Sequence, residues 1–315
     1  MSYRFKRIRM DLSNEAVAHN NSILGPGTLG IEVTLKTYSR LCGLGNIDPQ
    51  HPDDPDKAHS SAAQESMKAP LPDDGATLVT IREDPDAIIA MAVMLLRLEK
   101  RTKFNDVLVE WVGLRDLYGS RRAEELYPSM ANFYRGSNEI AAMNAIAFAI
   151  GVPDWPDLES KVMTFKRILL GATTAREMDY IISTRKSKPR RDFVFDETGI
   201  IPFIEAPGYY IEARQAGNRK YPVVAVSDPL YETHEGPCKR LTLICQPDAP
   251  FDLRGCKEAL NDESARAWKL SREDLEEFGL EIGGNSRILS TPQGVGRDPK
   301  ISNEEFVKIA GRFCK

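Results

Sequence analysis

The clearest pattern of apolar and polar positions lies between residues 77 and 98, where it predicts a strand followed by a helix. Thr77–Ile81 is β-branched and apolar, as expected of a buried strand. The acidic segment 82–86 follows, and Ala87–Leu98 is then apolar at most positions, which predicts a buried helix. Strand, acidic loop and helix form half of a βαβ unit, so the sequence predicts an α/β fold.

The rest of the pattern divides the chain into a helix-rich part and a strand-rich part. Further helices are predicted at 105–118, 137–150, 157–184 and 303–313, the last beginning at a capping-box spacing of Ser302 and Glu305. Strands are predicted at 192–195, 209–214, 221–227 and 240–245.

We therefore predict two domains. The first is a helix-rich α/β N-terminal domain over 1–185, and the second is a smaller mixed α/β C-terminal domain over 192–315. The basic residues 186–191 between them predict an exposed linker, with a phosphate-binding or nucleic-acid-binding patch as the alternative.

Composition then excludes several classes of protein. The 315 residues include 42 Lys+Arg and 46 Asp+Glu, a balance without the basic excess of a general nucleic-acid-binding protein. Nucleic acid is therefore predicted only as a short oligonucleotide. No run approaches the roughly 20 apolar residues that a membrane span requires, so no membrane partner is predicted. The five cysteines contain no C-x-x-C pair and predict reduced thiols in a cytoplasmic protein.

A first candidate metal site lies in the acidic, proline-rich segment 43–59. Asp48 and His51 would combine a carboxylate with an imidazole, a ligand mixture that suits Mn²⁺, Fe²⁺ or Zn²⁺, whereas carboxylates alone suit Mg²⁺ or Ca²⁺. The alternative is a surface loop with Asx turns, and both interpretations stay open for these two residues. For the other aspartates of this segment, Asp53, Asp54 and Asp56, the surface loop is favoured.

A second candidate is the pair Asp84 and Asp86, which follows the predicted strand. Ligands of α/β sheets bind beyond the carboxyl ends of strands, and carboxylates there could hold a metal or activate a metal-bound water. Asp86 is also predicted to cap the following helix, whereas Asp84 is harder to explain as a cap. Asp116 is predicted at a helix end, where its charge is unfavourable; a metal or arginine partner would explain it, although surface exposure is favoured.

The glycine-rich segment 283–296 is a candidate anion cradle, because its glycines allow close backbone approach and its polar side chains supply donors. It is neither a Walker A loop nor a Rossmann fingerprint, and ordinary glycine turns are the alternative. The predicted substrate-binding residues are Gly283, Gly284, Asn285, Ser286, Arg287 and Gln293.

Three patches together resemble the DHH phosphoesterase superfamily with its glycine-rich C-terminal associated domain. Thr80–Ala92 is similar to that family's strand–loop–helix motif, Asn46–His51 to its Asp-His-His motif, and 283–296 to its substrate loop. The order of the first two motifs is reversed here, and the third lacks a histidine. The resemblance implies two α/β domains around a cleft, with a metal centre, usually manganese, in the first and a phosphate grip in the second.

These features predict a metal-dependent hydrolase of a small anionic substrate, with a phosphoester or nucleotide-like molecule favoured and metal-activated water as the nucleophile. Mn²⁺ is the favoured cofactor, with Mg²⁺, Fe²⁺ or Zn²⁺ as alternatives. Only four histidines occur, so aspartates should dominate the metal site. The predicted catalytic residues are Asp48, His51 and Asp86, and the predicted metal ligands are Asp48, His51, Asp84, Asp86 and Asp116.

Two other functions stay open at this point. One is metal-dependent hydrolysis of an amide or cyclic C–N bond, and the other is non-catalytic binding of a small ligand. The sequence is also compatible with a homodimer.

Overall fold

A computed structural model describes most of the chain: residues 2–9, 14–47, 60–147, 157–183, 192–233, 236–246, 249–285, 288–292 and 298–315. These residues fall into two compact units, within 1–8 and 19–188 and within 9–18 and 189–315. The predicted linker 186–191 lies outside the described residues, so its exposure stays a prediction.

The described part of the first unit contains a four-stranded parallel sheet with the order β1-β4-β2-β3. Its strands are β1 (Arg4–Arg7), β2 (Thr28–Ile31), β3 (Asn46–Ile47) and β4 (Thr77–Thr80). Because β2 and β4 are neighbours and run in the same direction, the residues that follow them meet at one edge of the sheet. The prediction of a buried strand at 77–81 is confirmed, and so is the α/β class.

Helices contact this sheet, and one of them, α4 (Pro85–Leu98), is buried continuously from Asp86 to Leu96. The helices before 184 are α1 (Asn14–Ile23), α2 (Lys36–Ser39), α3 (Ala62–Ser66), α4 (Pro85–Leu98), α5 (Asp106–Leu126), α6 (Pro128–Tyr134), α7 (Asn138–Ala147), α8 (Leu158–Leu169) and α9 (Ala175–Ser183). The single helix predicted at 157–184 is wrong, because the chain breaks it at Gly171. That glycine has φ +64 and follows the end of α8, as a helix C-terminus in the left-handed conformation requires.

The second unit holds a mixed sheet, which has five strands among the described residues, in the order β5-β6-β7-β9-β8. Its elements are β5 (Phe203–Glu205), α10 (Tyr210–Lys220), β6 (Val223–Thr233), β7 (Gly236–Cys245), α11 (Leu253–Trp268), α12 (Arg272–Glu277), β8 (Gly283–Asn285), β9 (Ile288–Ser290) and α13 (Asn303–Gly311). β5 is parallel to β6, and the other neighbours are antiparallel. In one apolar cluster α10 packs against the sheet. In a second cluster α11 and α13 pack against the sheet.

The predicted strands at 221–227 and 240–245 are confirmed within β6 and β7, whereas two others are wrong. Residues 209–214 begin α10, whose buried positions Tyr210, Ala213 and Gly217 have helical spacing. Residues 192–195 form no strand, and Asp196 makes only an isolated bridge to Phe203. The predicted start of α13 is confirmed, since Ser302 accepts a hydrogen bond from the Glu305 amide.

Within the described ranges, every helix is too short or too polar to cross a lipid bilayer.

Candidate metal centre

Three carboxylates from three elements of the first unit converge near the carboxyl edge of its parallel sheet. Glu32 directly follows β2, Asp86 lies in the first turn of α4, and Asp116 lies on α5. Each side chain offers one oxygen, and these oxygens all lie within 4.8 Å of one another. A cluster of this kind can bind a cation if its members are fixed in place and short of other partners.

Glu32 is fixed by its backbone, which has a φ of 54° that non-glycine residues rarely adopt. Its amide donates to the Ile47 carbonyl at 2.8 Å. The next residue, Val33, is held at both backbone groups by the Asn46 side chain, with its amide donating to Oδ1 and its carbonyl accepting from Nδ2, each at 3.1 Å. Gly30 leaves space for the Asn46 side-chain amide, because a Cβ on residue 30 would overlap Asn46 Oδ1.

Asp86 is fixed by the start of α3, whose first amides have no partner within their own helix. Its Oδ2 accepts from the Ala62 amide at 2.7 Å, and its Oδ1 accepts from the Ala63 amide at 3.3 Å. The side chain is only 2% exposed. Burial and the neighbouring charge of Asp84 raise the pKa of Asp86 to about 7, although the hydrogen bonds from Ser61, Ala63 and Ala62 act in the opposite direction.

Asp84, and not Asp86, is the N-cap of α4. Its side chain accepts from the Ala87 amide at 3.0 Å, and Pro85 takes the first helical position that proline favours. The expectation that Asp86 caps this helix is therefore wrong, and Asp86 is left for the cluster. Asp84 still belongs to the same electrostatic environment, because its charge raises the pKa values of Glu32, Asp86 and Asp116.

Asp116 lies in the middle of α5, because that helix continues to Leu126 instead of ending near Tyr118. The expectation of a helix-end aspartate is therefore wrong, and so is its surface exposure, since Asp116 Oδ2 is buried. Burial raises the pKa of Asp116 well above its usual value, and the charges of Asp86 and Asp84 raise it further, while Arg82 lowers it.

The cluster has unused binding capacity. Glu32 is 8% exposed, and burial followed by the charges of Asp84, Asp86 and Asp116 raises its pKa well above the usual range. Among the described residues, Glu32 Oε2 and Asp116 Oδ2 are buried with no hydrogen-bond partner. Two unit charges separated by at most 4.8 Å repel by about 3.5 kcal/mol or more at an effective dielectric of about 20. Protons or a bound cation are therefore needed to neutralise the cluster.

The donor set fits a hard divalent cation. Oxygen ligands lie about 2.0–2.1 Å from Mg²⁺ and about 2.3–2.6 Å from Ca²⁺, so two ligands of one ion are separated by up to about 4–5 Å. The separations in the cluster, within 4.8 Å, are compatible with one shared ion. Oxygen-only sites suit Mg²⁺, Ca²⁺ or Mn²⁺, and the described residues add no histidine or cysteine to this group.

The sequence-based ligand set is thus partly brought together. Asp84, Asp86 and Asp116 share one environment, whereas Asp48 and His51 lie outside the described residues, and their roles stay predictions. Glu32 was missed. The signal available for it is a single charged residue inside the otherwise uncharged run Thr28–Leu35, where a solvated carboxylate is not expected.

Three members of the predicted anion cradle lie in the second sheet, and the sheet explains one of them, Gly284. Gly283–Asn285 form β8, which pairs with β9. Gly284 has φ +154, and a Cβ there would overlap the Ile288 carbonyl oxygen, so strand pairing alone requires this glycine. Ser286, Arg287 and Gln293 lie outside the described residues, and the substrate-binding role of the segment stays a prediction.

Comparison with known proteins gave no match to a family model, a curated protein or a solved structure. The resemblance to the DHH phosphoesterases therefore gains no support from relatives and stays a prediction. Function has to be inferred from the chemistry of the site itself.

Proposed function

We propose that this protein is a metal-dependent hydrolase of a small anionic substrate, with a phosphoester or nucleotide-like molecule as the favoured class. The observation that carries the proposal is the group formed by the buried Glu32 and Asp86 with the half-buried Asp116, in which Glu32 and Asp116 each have a buried oxygen without a hydrogen-bond partner among the described residues. Buried charges are retained in proteins when they are paired or hold a metal.

In this proposal the three carboxylates hold one divalent cation, and Asp84 adds negative charge beside them while it caps α4. A bound cation of this kind lowers the pKa of a coordinated water and stabilises charge on the attacked centre. Mn²⁺ stays the favoured ion, with Mg²⁺ next among oxygen-binding cations. Asp48 and His51 stay in the proposal as further ligands, and His51 would supply a nitrogen donor.

Arg82 supports an anionic substrate over a neutral amide. It is exposed, and it lies close enough to the cluster to lower the pKa of Asp116. Thr80 holds the backbone at Arg82 by accepting from its amide at 3.3 Å and donating to its carbonyl at 2.9 Å. A fixed backbone beside the cation would place the Arg82 guanidinium, which suits phosphate and carboxylate oxygens, near a bound substrate.

The cytoplasm is the proposed compartment. The five cysteines are all thiols, and four of them are buried, which is the usual state of cysteine in a reducing compartment.

The deciding experiment measures metal content and affinity in the full-length chain. We expect protein purified without chelator to contain about one divalent cation per chain, and Glu32→Gln, Asp86→Asn and Asp116→Asn each to weaken Mn²⁺ affinity at least tenfold in calorimetric titration. Asp106→Asn is the matched control, since Asp106 is an exposed aspartate on the same helix as Asp116.

Absence of bound cation in the wild type, or equal affinity in the cluster variants and the control, would contradict the metal site. If metal binds, initial rates on a panel of phosphomonoesters, phosphodiesters and cyclic amides test the reaction. Turnover of the amides alone would contradict the anionic substrate, and no turnover of any member would leave a binding protein in place of a hydrolase.

A further inference from the structure

A buried ion pair joins the acidic loop, residues 82–86, to helix α8. Lys161 Nζ lies 2.5 Å from Glu83 Oε2, and the two side chains are 4% and 8% exposed. Lys161 lies on the buried face of α8, which it shares at helical spacing with Leu158 and Phe165. Lysine is rarely found at such a position unless it is paired. The pair with Glu83 therefore accounts for a charged residue on the apolar face of this helix.

Stability alone is a poor explanation for this pair. Both charges lose their hydration on burial, and replacement of such a pair by apolar side chains of similar volume is often neutral or stabilising. A buried ion pair can instead select one conformation, because its attraction depends on distance and direction, whereas apolar contact is non-directional. The place of Glu83 in the chain indicates which conformation is selected.

Glu83 belongs to a loop in which each acid has a different anchor. Asp84 is held by the cap of α4, and Asp86 is held by the first amides of α3. Glu83 is held by Lys161 of α8. The loop is thus attached to three helices, with one acid directed to each. Asp86 lies three residues after Glu83, and Pro85 between them has a fixed φ, so few rotations separate these two acids.

The pair also limits the negative charge beside the metal centre. Glu83 directly precedes Asp84, whose charge acts on all three carboxylates of the cluster. Pairing with Lys161 neutralises Glu83, so the loop adds one unpaired carboxylate fewer to the repulsion within the cluster. Lys161 therefore has two effects on the site, one on the direction of the loop and one on its charge.

We propose that Lys161 is a positioning residue of the metal centre: through Glu83 it holds the acidic loop so that Asp86 faces Glu32 and Asp116. The inference rests on the proposed metal site and adds to it a residue that does not itself contact the ion. Groups that orient metal ligands without touching the ion change metal affinity roughly 10–100-fold when they are removed.

A second lysine of α8 offers a matched control. Lys166 Nζ lies 2.5 Å from Glu99 Oε1, and Glu99 is the C-cap of α4. Because α4 spans about 21 Å, this second pair is remote from Asp86, which lies in the first turn of the same helix. Both pairs link α8 to an end of α4, but only the Lys161 pair is expected to influence the ion.

The test measures Mn²⁺ affinity by calorimetry and stability in EDTA by urea denaturation, both in the full-length chain. Lys161→Met/Glu83→Leu replaces the pair by apolar side chains, and we expect a folded protein that binds Mn²⁺ at least about tenfold more weakly. The control Lys166→Met/Glu99→Leu should bind Mn²⁺ like the wild type. A purely structural role of Lys161 would lower the stability in EDTA and leave the affinity of the folded protein unchanged.

Glu83→Gln distinguishes positioning from direct ligation. Its side-chain carbonyl can still accept from Lys161, so its Mn²⁺ affinity should stay close to that of the wild type. Binding as weak as that of Asp86→Asn would make Glu83 a ligand and overturn the positioning role.

A folded Lys161→Met/Glu83→Leu protein with wild-type affinity would also overturn the proposal, as would equal weakening in the Lys166 control. If that double variant does not fold, Lys161→Met/Glu83→Gln keeps the shape of Glu83 and is judged by the same criteria. Absence of Mn²⁺ binding in the wild type would remove the metal site and this inference together. Weakening in Asp86→Asn with none in the Lys161 double variant would remove this inference alone.

Discussion

At the scale of single residues, Glu32 combines two unfavourable features. Its backbone has the left-handed φ of 54°, and its carboxylate is buried among other acids. Positions of this kind cost about 1–3 kcal/mol and persist where surrounding structure enforces them, as Asn46 does here through Val33. The backbone strain at Glu32 and the repulsion between its carboxylate and the neighbouring acids therefore both lie at the candidate metal site.

We expect Glu32→Gly to stabilise the protein in chelator and to abolish stabilisation by Mn²⁺. Glycine accepts a positive φ without strain and removes the carboxylate, so the melting temperature in EDTA should rise above that of the wild type. Glu32→Gln separates the two causes, because it removes the charge but keeps the strained side chain. Melting curves with EDTA and with Mn²⁺ provide the measurement, and a Glu32→Gly protein that Mn²⁺ still stabilises would remove Glu32 from the ligand set.

The raised pKa of Asp86 predicts a pH dependence with a definite sign. Its folded value of about 7 lies above the usual 3.8, so the folded state holds the proton more tightly than the unfolded state does. This contribution to stability is fully present below about pH 4 and is lost as the pH rises through 7.

In chelator, the melting temperature of the wild type relative to Asp86→Asn should therefore fall as the pH rises from 4 to 8. Comparing the two proteins at each pH cancels the titration of distant groups. A difference that stays constant or grows with pH would show that Asp86 is not held protonated in the folded chain.

Residue chemistry was only partly accessible from the sequence. Asp84 and Asp86 are separated by one proline after an apolar strand, so their common location could be predicted. Their roles were interchanged because Pro85 can begin the helix, which moves the cap back to Asp84. The proximity of Glu32 and Asp116 to these aspartates could not be predicted. Glu32 and Asp116 are 84 residues apart in the sequence, and contacts at such a separation depend on the order of the strands in the sheet.

At the scale of elements, Gly284 illustrates a glycine required by strand pairing. Its φ of +154 and its approach to the Ile288 carbonyl leave no room for a side chain, whereas nothing lies within 4 Å of a Cβ built on Gly283. The two adjacent glycines therefore offer a matched comparison within one strand.

We expect Gly284→Ala to destabilise the protein by at least about 2 kcal/mol and Gly283→Ala to change stability much less. The physical reason is overlap with backbone, which cannot move without separating β8 from β9. Urea denaturation of the two variants provides the measurement. Equal stability of both would mean that the hairpin does not need the close approach at Gly284.

Elements with a strong local pattern were predictable, and those decided by packing were not. Ala87–Leu98 is so apolar that its burial as a helix follows from composition alone. The segment 209–214 alternates like a strand, yet α10 forms because the helical spacing continues to Lys220 and packs on β6. The break at Gly171 was missed because apolar spacing resumes after it in α9.

At the scale of the whole molecule, sheet order was beyond sequence pattern. The strands of the first sheet span only two to four residues in the described chain, so propensity alone cannot rank their pairings. The order β1-β4-β2-β3 places β4 beside β2, and this pairing brings the acidic loop after β4 toward Glu32. A candidate metal centre therefore depends on long-range contacts that a local pattern does not encode.

We expect the bound cation to raise the free energy of unfolding and this stabilisation to be seen in the tryptophan fluorescence of the first unit. The three tryptophans are Trp111, Trp155 and Trp268, so Trp268→Phe confines tryptophan fluorescence to residues 1–188. In that variant, Mn²⁺ at about one hundred times its Kd should raise the free energy of unfolding by about 2.7 kcal/mol. The same background with Asp86→Asn is the control, and an equal rise there would place the cation elsewhere.

The enclosure of α4 gives this helix a further property. Its 14 residues span about 21 Å, and the stretch from Asp86 to Leu96 has no face toward solvent. Amide hydrogens in such a helix exchange with deuterium through large openings of the surrounding structure, not by fraying of one side. An ion held at Asp86 would therefore slow amide exchange along the helix as far as Leu96. The exchange rates of α4 amides far from the ion should thus report whether the metal site is occupied.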